Sequence, residues 1–450
     1  MLLALWREVL KNFKRQNFAP KRRSNHNLFL NLNKKMKHLS KQDKQIYQAV
    51  KNELRRQQNG LVMIPSENFT SLAVLEAMAS VLNNKYAEGY PGKRYYSGNQ
   101  HVDEVETLAI NRAKKLFRTE YANVQPHSGT SANLAVYFAL LKPGDKILSL
   151  NLTHGGHLSH GSKASLVSQF YKIAHYNVDP ITNLLDYDLL RQTALNEKPQ
   201  LIISGFSSYP RKINFKFIND IAKEVSAYHL ADISHIAGLI IAGEHPDAIS
   251  QADVITTTTH KTLRGPRGAV IMAKKELAPQ IDKAVFPGIQ GGPLEHIIAA
   301  KAVCFAKAMT DKFIRDQKQT IKNAQALAQT FIDNGLTLIT GGTDTHLILI
   351  DLRPLKISGK EAADILASCN IYANFNVIPF DEQPANNPSG LRIGTPALTT
   401  QGMKESEMEI IGQAICDLLK NPNNTDFKIK AKGLVAELVS KFPIYNELKY

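Results

Sequence analysis

Lys261 is the residue whose setting first points to chemistry. It lies in residues 253–268, DVITTTTHKTLRGPRG, directly after a run of β-branched residues. Such a run reads as a strand, and open α/β sheets place ligands beyond the carboxyl ends of their strands. Desolvation there, with the charges of Arg264 and Arg267 nearby, would lower the pKa of the amine, as a Schiff-base lysine requires. A lone lysine is more often a solvated loop residue, but two further features accompany this one. Asp232 stands 29 residues earlier in HLADISHIAG, a carboxylate closing an apolar strand, with His235 close behind. A buried Asp needs a cationic or hydrogen-bonding partner; the competing reading is a turn or cap residue. Ser128-Gly129-Thr130, inside QPHSGTSANLAVYFALL, is a small-residue turn before an apolar helix. N–H groups and hydroxyls at a helix start bind phosphate, although the same triplet also serves as a plain cap.

In that chain order, a phosphate-binding helix start, a strand-end Asp and a later strand-end Lys describe a pyridoxal phosphate site on a doubly wound sheet. The elements that would carry it are legible as short apolar runs alternating with helical patterns: KILSL (146–150), LIISG (201–205), HLADIS (229–234), DVITTTT (253–259) and AVIMA (269–273). This alternation reads as βαβ units, hence an α/β fold with a mostly parallel sheet and helices on both faces. A long helical stretch is expected from about Leu294 to Asn334, stopped by Gly335 as a C′ glycine. Beyond it, HLILIDL (346–352), KEAADILASC (360–369), LRIGT (391–395) and a closing helix near 403–420 read as a smaller α/β domain. The expected division is a basic leader (1–35), a helical arm (36–66), a large domain (67–310) and a small one (311–450).

Seven collinear stretches carry a family resemblance: SENFTS (66–71), NKYAEGYPGKRYYSG (84–98), QPHSGTSAN (125–133), HGGHLSHG (154–161), TTTTHKTLRGPRG (256–268), FPGIQGGP (286–293) and LRIGTPALT (391–399). Together they resemble serine hydroxymethyltransferase, a fold-type I pyridoxal phosphate enzyme, from about residue 40 onward. The resemblance implies conversion of L-serine and tetrahydrofolate to glycine and 5,10-methylenetetrahydrofolate. It also implies a large doubly wound sheet domain and a smaller C-terminal α/β domain. Lys261 would form the internal aldimine and Asp232 would keep the pyridine nitrogen protonated. His157 would stack on the cofactor ring, with His235 and Ser207 near its 3′ oxygen. Ser128, Gly129 and Thr130, and from a neighbouring subunit Gly291 and Gly292, would hold the phosphate. Arg392 would grip the substrate carboxylate with its planar fork. Ser66 and His260 would line the amino-acid pocket. Glu88, Tyr96 and Tyr86 would reach in from the neighbouring subunit, making the active unit at least a homodimer, with a tetramer open; Glu88 would act as acid or base on the serine hydroxyl or the folate intermediate. Folate would lie against Leu152, Gly156, Leu158 and Tyr96, with Asn376 offering its amide to the pterin.

Three departures from the family pattern stand out, the last of them on the folate side. Where the family has LIASEN this chain has MIPSEN, with Pro65 before the serine; the first glycine pair of FPGGQGGP is FPGI; and residues 377–390 lose most of the customary loop while Asn374 and Asn376 remain. The cofactor chemistry is therefore expected intact, while folate affinity and preference for a polyglutamylated form are left open by the sequence. A folate-independent aldolase of the same fold is the nearest alternative, disfavoured by Glu88, Tyr96 and Asn376.

Composition narrows the remaining classes. Of 450 residues 43% are hydrophobic and 8% aromatic, enough for a real core. Cys304, Cys369 and Cys416 lie far apart without CxxC spacing, which indicates neither disulfides nor a thiolate metal site. His154, His157 and His160 could be read as a metal cluster, but the intervening glycines break helical spacing, and no metal is expected. The formal charge of +15 invites a polyanion reading until its distribution is read. Residues 1–38 hold ten Lys or Arg against Glu8, a net +9, leaving +6 for the other 412. That leader has neither the order of a secretory signal nor the serine content of a mitochondrial transit peptide. Met36, before Ser40 and Asp43 at capping-box-like spacing, offers an alternative start. Cytoplasmic location is expected, with a mitochondrial transit peptide as the alternative. Neither a membrane nor a nucleic acid is an expected partner, the latter resting only on the leader.

Overall fold

The computed structural model describes residues 36–448; the basic leader, and every expectation attached to it, lies outside the described residues. The described chain divides into two compact units, one holding 36–56 and 445–448, the other 57–444. Helix Lys37–Gln42 and most of Lys44–Gln58 make up the bulk of the described part of the first. Asp43 alone caps the second helix, its Oδ1 accepting from Gln45 N at 3.1 Å and Ile46 N at 3.0 Å. The Ser40 hydroxyl turns back to the Lys37 carbonyl instead, so the expected capping box does not form.

The larger unit is built on a seven-stranded sheet: β1 Tyr121–Asn123, β2 Lys146–Leu150, β3 Lys172–Tyr176, β4 Leu201–Ser204, β5 Tyr228–Asp232, β6 Val254–Thr258 and β7 Ala269–Ala273. The strand order is 1-7-6-5-4-2-3, and only β7 runs antiparallel to its neighbours. All five apolar runs read from the sequence are strands here; the short β1 and the half-exposed β3 lack a continuous apolar run and escape that reading. Alternate residues feed two cores. Ile147, Leu201, Ile203, Leu230 and Val254 pack on one face, whereas Leu148, Ile202, Ala231 and Ile255 pack on the other. A sheet buried on both faces needs helices on both, and it holds the carboxyl ends of β2, β4, β5 and β6 along one edge.

Helix α1 (Gln100–Phe117) precedes β1, and α2 (Gly129–Leu140) leaves it by way of Ser128. The long helix expected over 294–334 is two helices, α3 (Glu295–Ala308) and α4 (Asp311–Asp333). The break has a local cause: the Thr310 hydroxyl accepts from Phe313 N and starts a new helix. Gly335, with φ of +71°, ends α4 as expected. A four-stranded antiparallel sheet follows, comprising Thr337–Leu338, Leu347–Asp351, Asn374–Asn376 and Gly390–Gly394. Its core joins Ile348, Ile350, Leu391 and Ile393 to helix Glu405–Lys420 and to Thr425–Lys441, a helix missed in the sequence. Among the described residues no helix is long and apolar enough to cross a membrane.

One turn makes the strand edge usable. Gly205, leaving β4 with φ of +92°, lets the chain pass so close to β5 that a Cβ would land on the Asp232 carbonyl. Gly205→Ala should therefore lower unfolding free energy in urea by more than about 2 kcal/mol, since both strain and a backbone clash must be absorbed. A change under about 0.5 kcal/mol would show that the approach is dispensable.

Candidate active site

A cavity of about 200 Å³ opens at the carboxyl edge of the sheet. Five segments contribute to it: Ser128, Gly129 and Thr130 at the start of α2; His157 and His160 after β2; Phe206 and Ser207 after β4; Asp232, Ser234 and His235 at β5; Thr258, His260 and Lys261 at β6. The residues that the sequence singled out as anchors thus meet in one place.

Asp232 is buried, and burial works against its charge. Yet the His160 hydrogen bond, the neighbouring His157 and the Asn133 amide outweigh desolvation and hold its pKa far below the usual carboxylate range. His160 Nε2 donates to Oδ2 at 3.0 Å and Asn133 Nδ2 at 2.9 Å; Ser234 gives Oδ1 its N–H at 3.1 Å and its hydroxyl at 2.6 Å. Asn133 is itself held by the Thr256 hydroxyl at 2.7 Å. His160 and Asn133 are functional residues that sequence reasoning missed. Asn133 had a signal, being the one amide in an otherwise apolar stretch of α2. His160, weighed only as a metal candidate, turns to Asp232, while His154 packs its ring 4.5 Å from that of Phe380 and His157 faces the cavity. The three imidazoles therefore have different partners, although the rings of His157 and His160 lie 5.5 Å apart.

Lys261 donates to the Thr258 hydroxyl at 2.9 Å. Its pKa is brought from 10.5 down to about 8, chiefly by burial, with Asp232 opposing and Arg392 and Arg267 adding to the fall. Arg264, expected to contribute, instead pairs with Asp316 at 2.9 Å, so its charge is spent away from the amine. His157 is pushed down to about 4 by burial and by His160, which leaves a neutral ring facing the cavity. Its Nδ1 lies 2.8 Å from the Ser159 hydroxyl. His260 falls to about 3 through burial and the adjoining Lys261, and its buried Nδ1 has no partner. His235 is likewise driven well down by burial, its ring stacked on that of His346 at 5.5 Å.

Arg392 projects from strand Gly390–Gly394, donating to the Ser207 carbonyl at 2.5 Å and to Asn374 Oδ1 at 3.3 Å. Among the described residues no carboxylate pairs with it, and burial lowers its pKa to about 10. Ser207 completes this corner by donating to the Gly156 carbonyl at 2.6 Å. Leu152 and Leu158 flank His157 with exposed side chains. The altered 377–390 loop is pinned, since Asp381 accepts from Gln383 N, Ser389 N and the Ser389 hydroxyl. Asn376 bonds through Nδ2 to the Val377 carbonyl. Ser66 is half-buried; two residues on, the Asn68 amide donates to the Lys261 carbonyl at 3.2 Å. Pro65 lies so close to Gly394 that a Cβ there would come within 2.7 Å of its Cα.

Five of the expected residues form a separate group within this chain and do not line the cavity. Tyr86 and Tyr96 cross edge to face at 5.1 Å, both exposed, and Tyr86 covers Gly292. A Cβ on Gly291 would stand 3.5 Å from Glu88 Oε1.

With this geometry, residues 39–415 match the serine hydroxymethyltransferase family profile. A serine hydroxymethyltransferase of Methanosarcina barkeri (strain Fusaro / DSM 804) is 52% identical over 411 residues, 91% of this chain and all of that protein. The chain belongs to the serine hydroxymethyltransferase family. It is a fold-type I enzyme that uses pyridoxal phosphate, with tetrahydrofolate as a substrate. The cavity suits that cofactor: the N-terminal N–H groups of a twelve-residue helix for phosphate, an ionised Asp for a pyridinium, a neutral imidazole face, and an orphaned His260 Nδ1 aimed at nothing in the protein. Ser128 caps that helix through Ser131 N at 3.2 Å, and a Cβ on Gly129 would come within 2.8 Å of Thr258, so the phosphate end is tightly built.

The lysine's lowered pKa has a measurable sign. Only the unprotonated amine attacks an aldehyde, so capture of pyridoxal phosphate by apoenzyme should quicken as pH rises and level off above about 8. The return of visible absorbance from about pH 6 to 10 measures it; a rate still climbing at the upper limit would indicate a solvated lysine.

Proposed function

We propose the following division of labour for the family's reaction, in which L-serine and tetrahydrofolate pass reversibly to glycine and 5,10-methylenetetrahydrofolate. Lys261 captures the cofactor aldehyde and Asp232 keeps its ring nitrogen protonated. Ser128, Gly129 and Thr130 hold the phosphate, His157 lies against the ring, and Ser207 and His235 stand near the 3′ oxygen. When bound, pyridoxal phosphate supplies the electron sink that accepts the pair released as the serine Cα–Cβ bond breaks. The single observation that carries the reading is Arg392: a buried guanidinium without a described carboxylate, held by the Ser207 carbonyl on the cavity wall. A substrate carboxylate completes it, with Ser66 and His260 lining the same pocket.

Glu88, Tyr86, Tyr96, Gly291 and Gly292 are proposed to act in the cavity of a second copy, the active unit being a homodimer. Their grouping outside the cavity of their own chain, with two exposed tyrosines, supports this. Glu88 would move the proton of the serine hydroxyl as the one-carbon unit leaves for tetrahydrofolate. The exposed Leu152 and Leu158, with Gly156, Tyr96 and Asn376, would receive the folate. A large domain to about residue 310 and a small domain after it, and a cytoplasmic location, complete the proposal.

Glycine formation from serine with and without tetrahydrofolate tests the reaction. Serine cleavage indifferent to tetrahydrofolate, beside rapid threonine cleavage, would favour a folate-independent aldolase. Arg392→Ala should weaken serine saturation about a hundredfold while the cofactor stays bound, because a buried carboxylate loses its charge partner. An unchanged serine KM would remove Arg392 from that role. Glu88→Gln should lower folate-dependent turnover by about two orders of magnitude with little effect on serine binding. Equal effects on binding and turnover would deny it the proton-transfer role.

A further inference from the structure

Arg94, Asp103, Glu106 and Glu295 form a group of charged side chains that the reaction as described does not use. All but Asp103 are buried, and the Arg94 side chain is only 4% exposed. Its guanidinium spends its donors in two directions. Nε bonds Asp103 at 2.8 Å and Nη2 bonds Glu106 at 2.5 Å, which accounts for its charge. Nη1 donates to two backbone carbonyls, those of Ala87 at 2.8 Å and Gly89 at 2.9 Å, the residues on either side of Glu88. The Glu88 carbonyl accepts from Tyr95 N at 3.1 Å, so three consecutive peptide oxygens are tied down. Gly89, at φ of +98°, makes the reversal that presents two of those oxygens to one side chain. Gln125 seconds the clamp, its amide donating to the Gly89 carbonyl at 2.9 Å and to Glu106 at 2.7 Å.

The frame continues toward the other elements of the site. Gln290 Nε2 bonds the Gln125 carbonyl at 3.1 Å, and Gln290 Oε1 accepts from His127 N at 3.0 Å, one residue before Ser128. Gly291, beside Glu88 Oε1, follows Gln290 directly. The backbone of Glu88 is therefore referenced to the start of α2 and to the glycine loop at once, while its half-buried carboxylate makes no bond to the clamp.

We infer that Arg94 is a positioning residue for Glu88: its guanidinium clamps the carbonyls of Ala87 and Gly89 and thereby fixes where the Glu88 carboxylate is presented. This rests on the reading of Glu88 as the proton-transfer group. A planar fork with several directed donors can hold two carbonyls and two carboxylates together, which a lysine ammonium cannot. Charge and packing survive in Arg94→Lys while the clamp is lost.

The test is a double-mutant cycle on the full-length holoenzyme, reading kcat and serine KM separately. Arg94→Lys should lower folate-dependent kcat by about thirtyfold, somewhat short of the roughly hundredfold that a full ångström of misplacement can cost, with serine KM within about threefold of wild type. Added to Glu88→Gln, the same substitution should cost less than about twofold, because the residue it positions is already gone. Losses that multiply in the double variant would overturn the inference, as would Arg94→Lys turning over at the wild-type rate while Glu88→Gln is slow. A Glu88→Gln enzyme of normal rate would instead sink the reading of Glu88 itself. If Arg94→Lys does not fold, Gln125→Met, which removes one donor to Gly89 without leaving a charge unpaired, runs the same cycle. Its smaller kcat loss should likewise vanish beside Glu88→Gln, and persistence of that loss would overturn the inference.

Discussion

The cavity is arranged around a carboxylate kept charged inside the protein. Desolvation alone would neutralise Asp232, and a neutral acid could not serve the proposed pyridinium. Four hydrogen bonds reverse that outcome, and their donors come from α2, from the turn after β2 and from the turn after β5 itself. The donors are supported in turn: Thr256 on the neighbouring strand orients Asn133, which also reaches Ser159. Removing charge from this corner would change Lys261 as well, since Asp232 is what limits the fall of the lysine's pKa. The buried anion and the partly neutralised amine are settings of one electrostatic system, fixed by where β5 and β6 end.

That system explains why a parallel sheet suits the reaction. Parallel strands deliver their carboxyl ends, and the turns that follow, to one edge, so five separate segments converge without any of them having to bend into the core. The small antiparallel sheet brings Arg392 and Asn374 up to Ser207, which lines the cavity. Arg392 meets the Ser207 carbonyl there and is left without a described anion. A guanidinium held in this way is ready for a carboxylate from outside, which is the role proposed for it.

Much of this was legible in the chain. The five apolar runs that became strands, the Ser128 helix start and the positions of Asp232 and Lys261 follow from local pattern, because β-branched runs and small-residue turns have few other uses. Elements without such a pattern were not legible. The three-residue β1 and the half-exposed β3 carry no apolar run, and the break at Thr310 depends on one hydroxyl inside an otherwise continuous helical period. Helix Thr425–Lys441 offers little beyond its Asn424 cap to mark it in the chain. Proximity along the chain also misled in one case. Arg264 lies three residues from Lys261 yet faces Asp316, while the distant Arg392 lowers the lysine's pKa.

By itself the sequence determined the residue types, their order and the family they belong to, and with these the chemistry available at Lys261, Asp232 and Arg392. Only the tertiary structure decided which side chains act on which. His160 and Asn133 became partners of Asp232 across separations of 72 and 99 residues. Arg94 came to hold the carbonyls of Ala87 and Gly89 because Glu106 and Gln125 close around it. Local pattern records what a segment prefers to be. Hydrogen-bond direction, burial and charge balance arise when distant segments share a volume too small for water, and they exist only once the chain has folded.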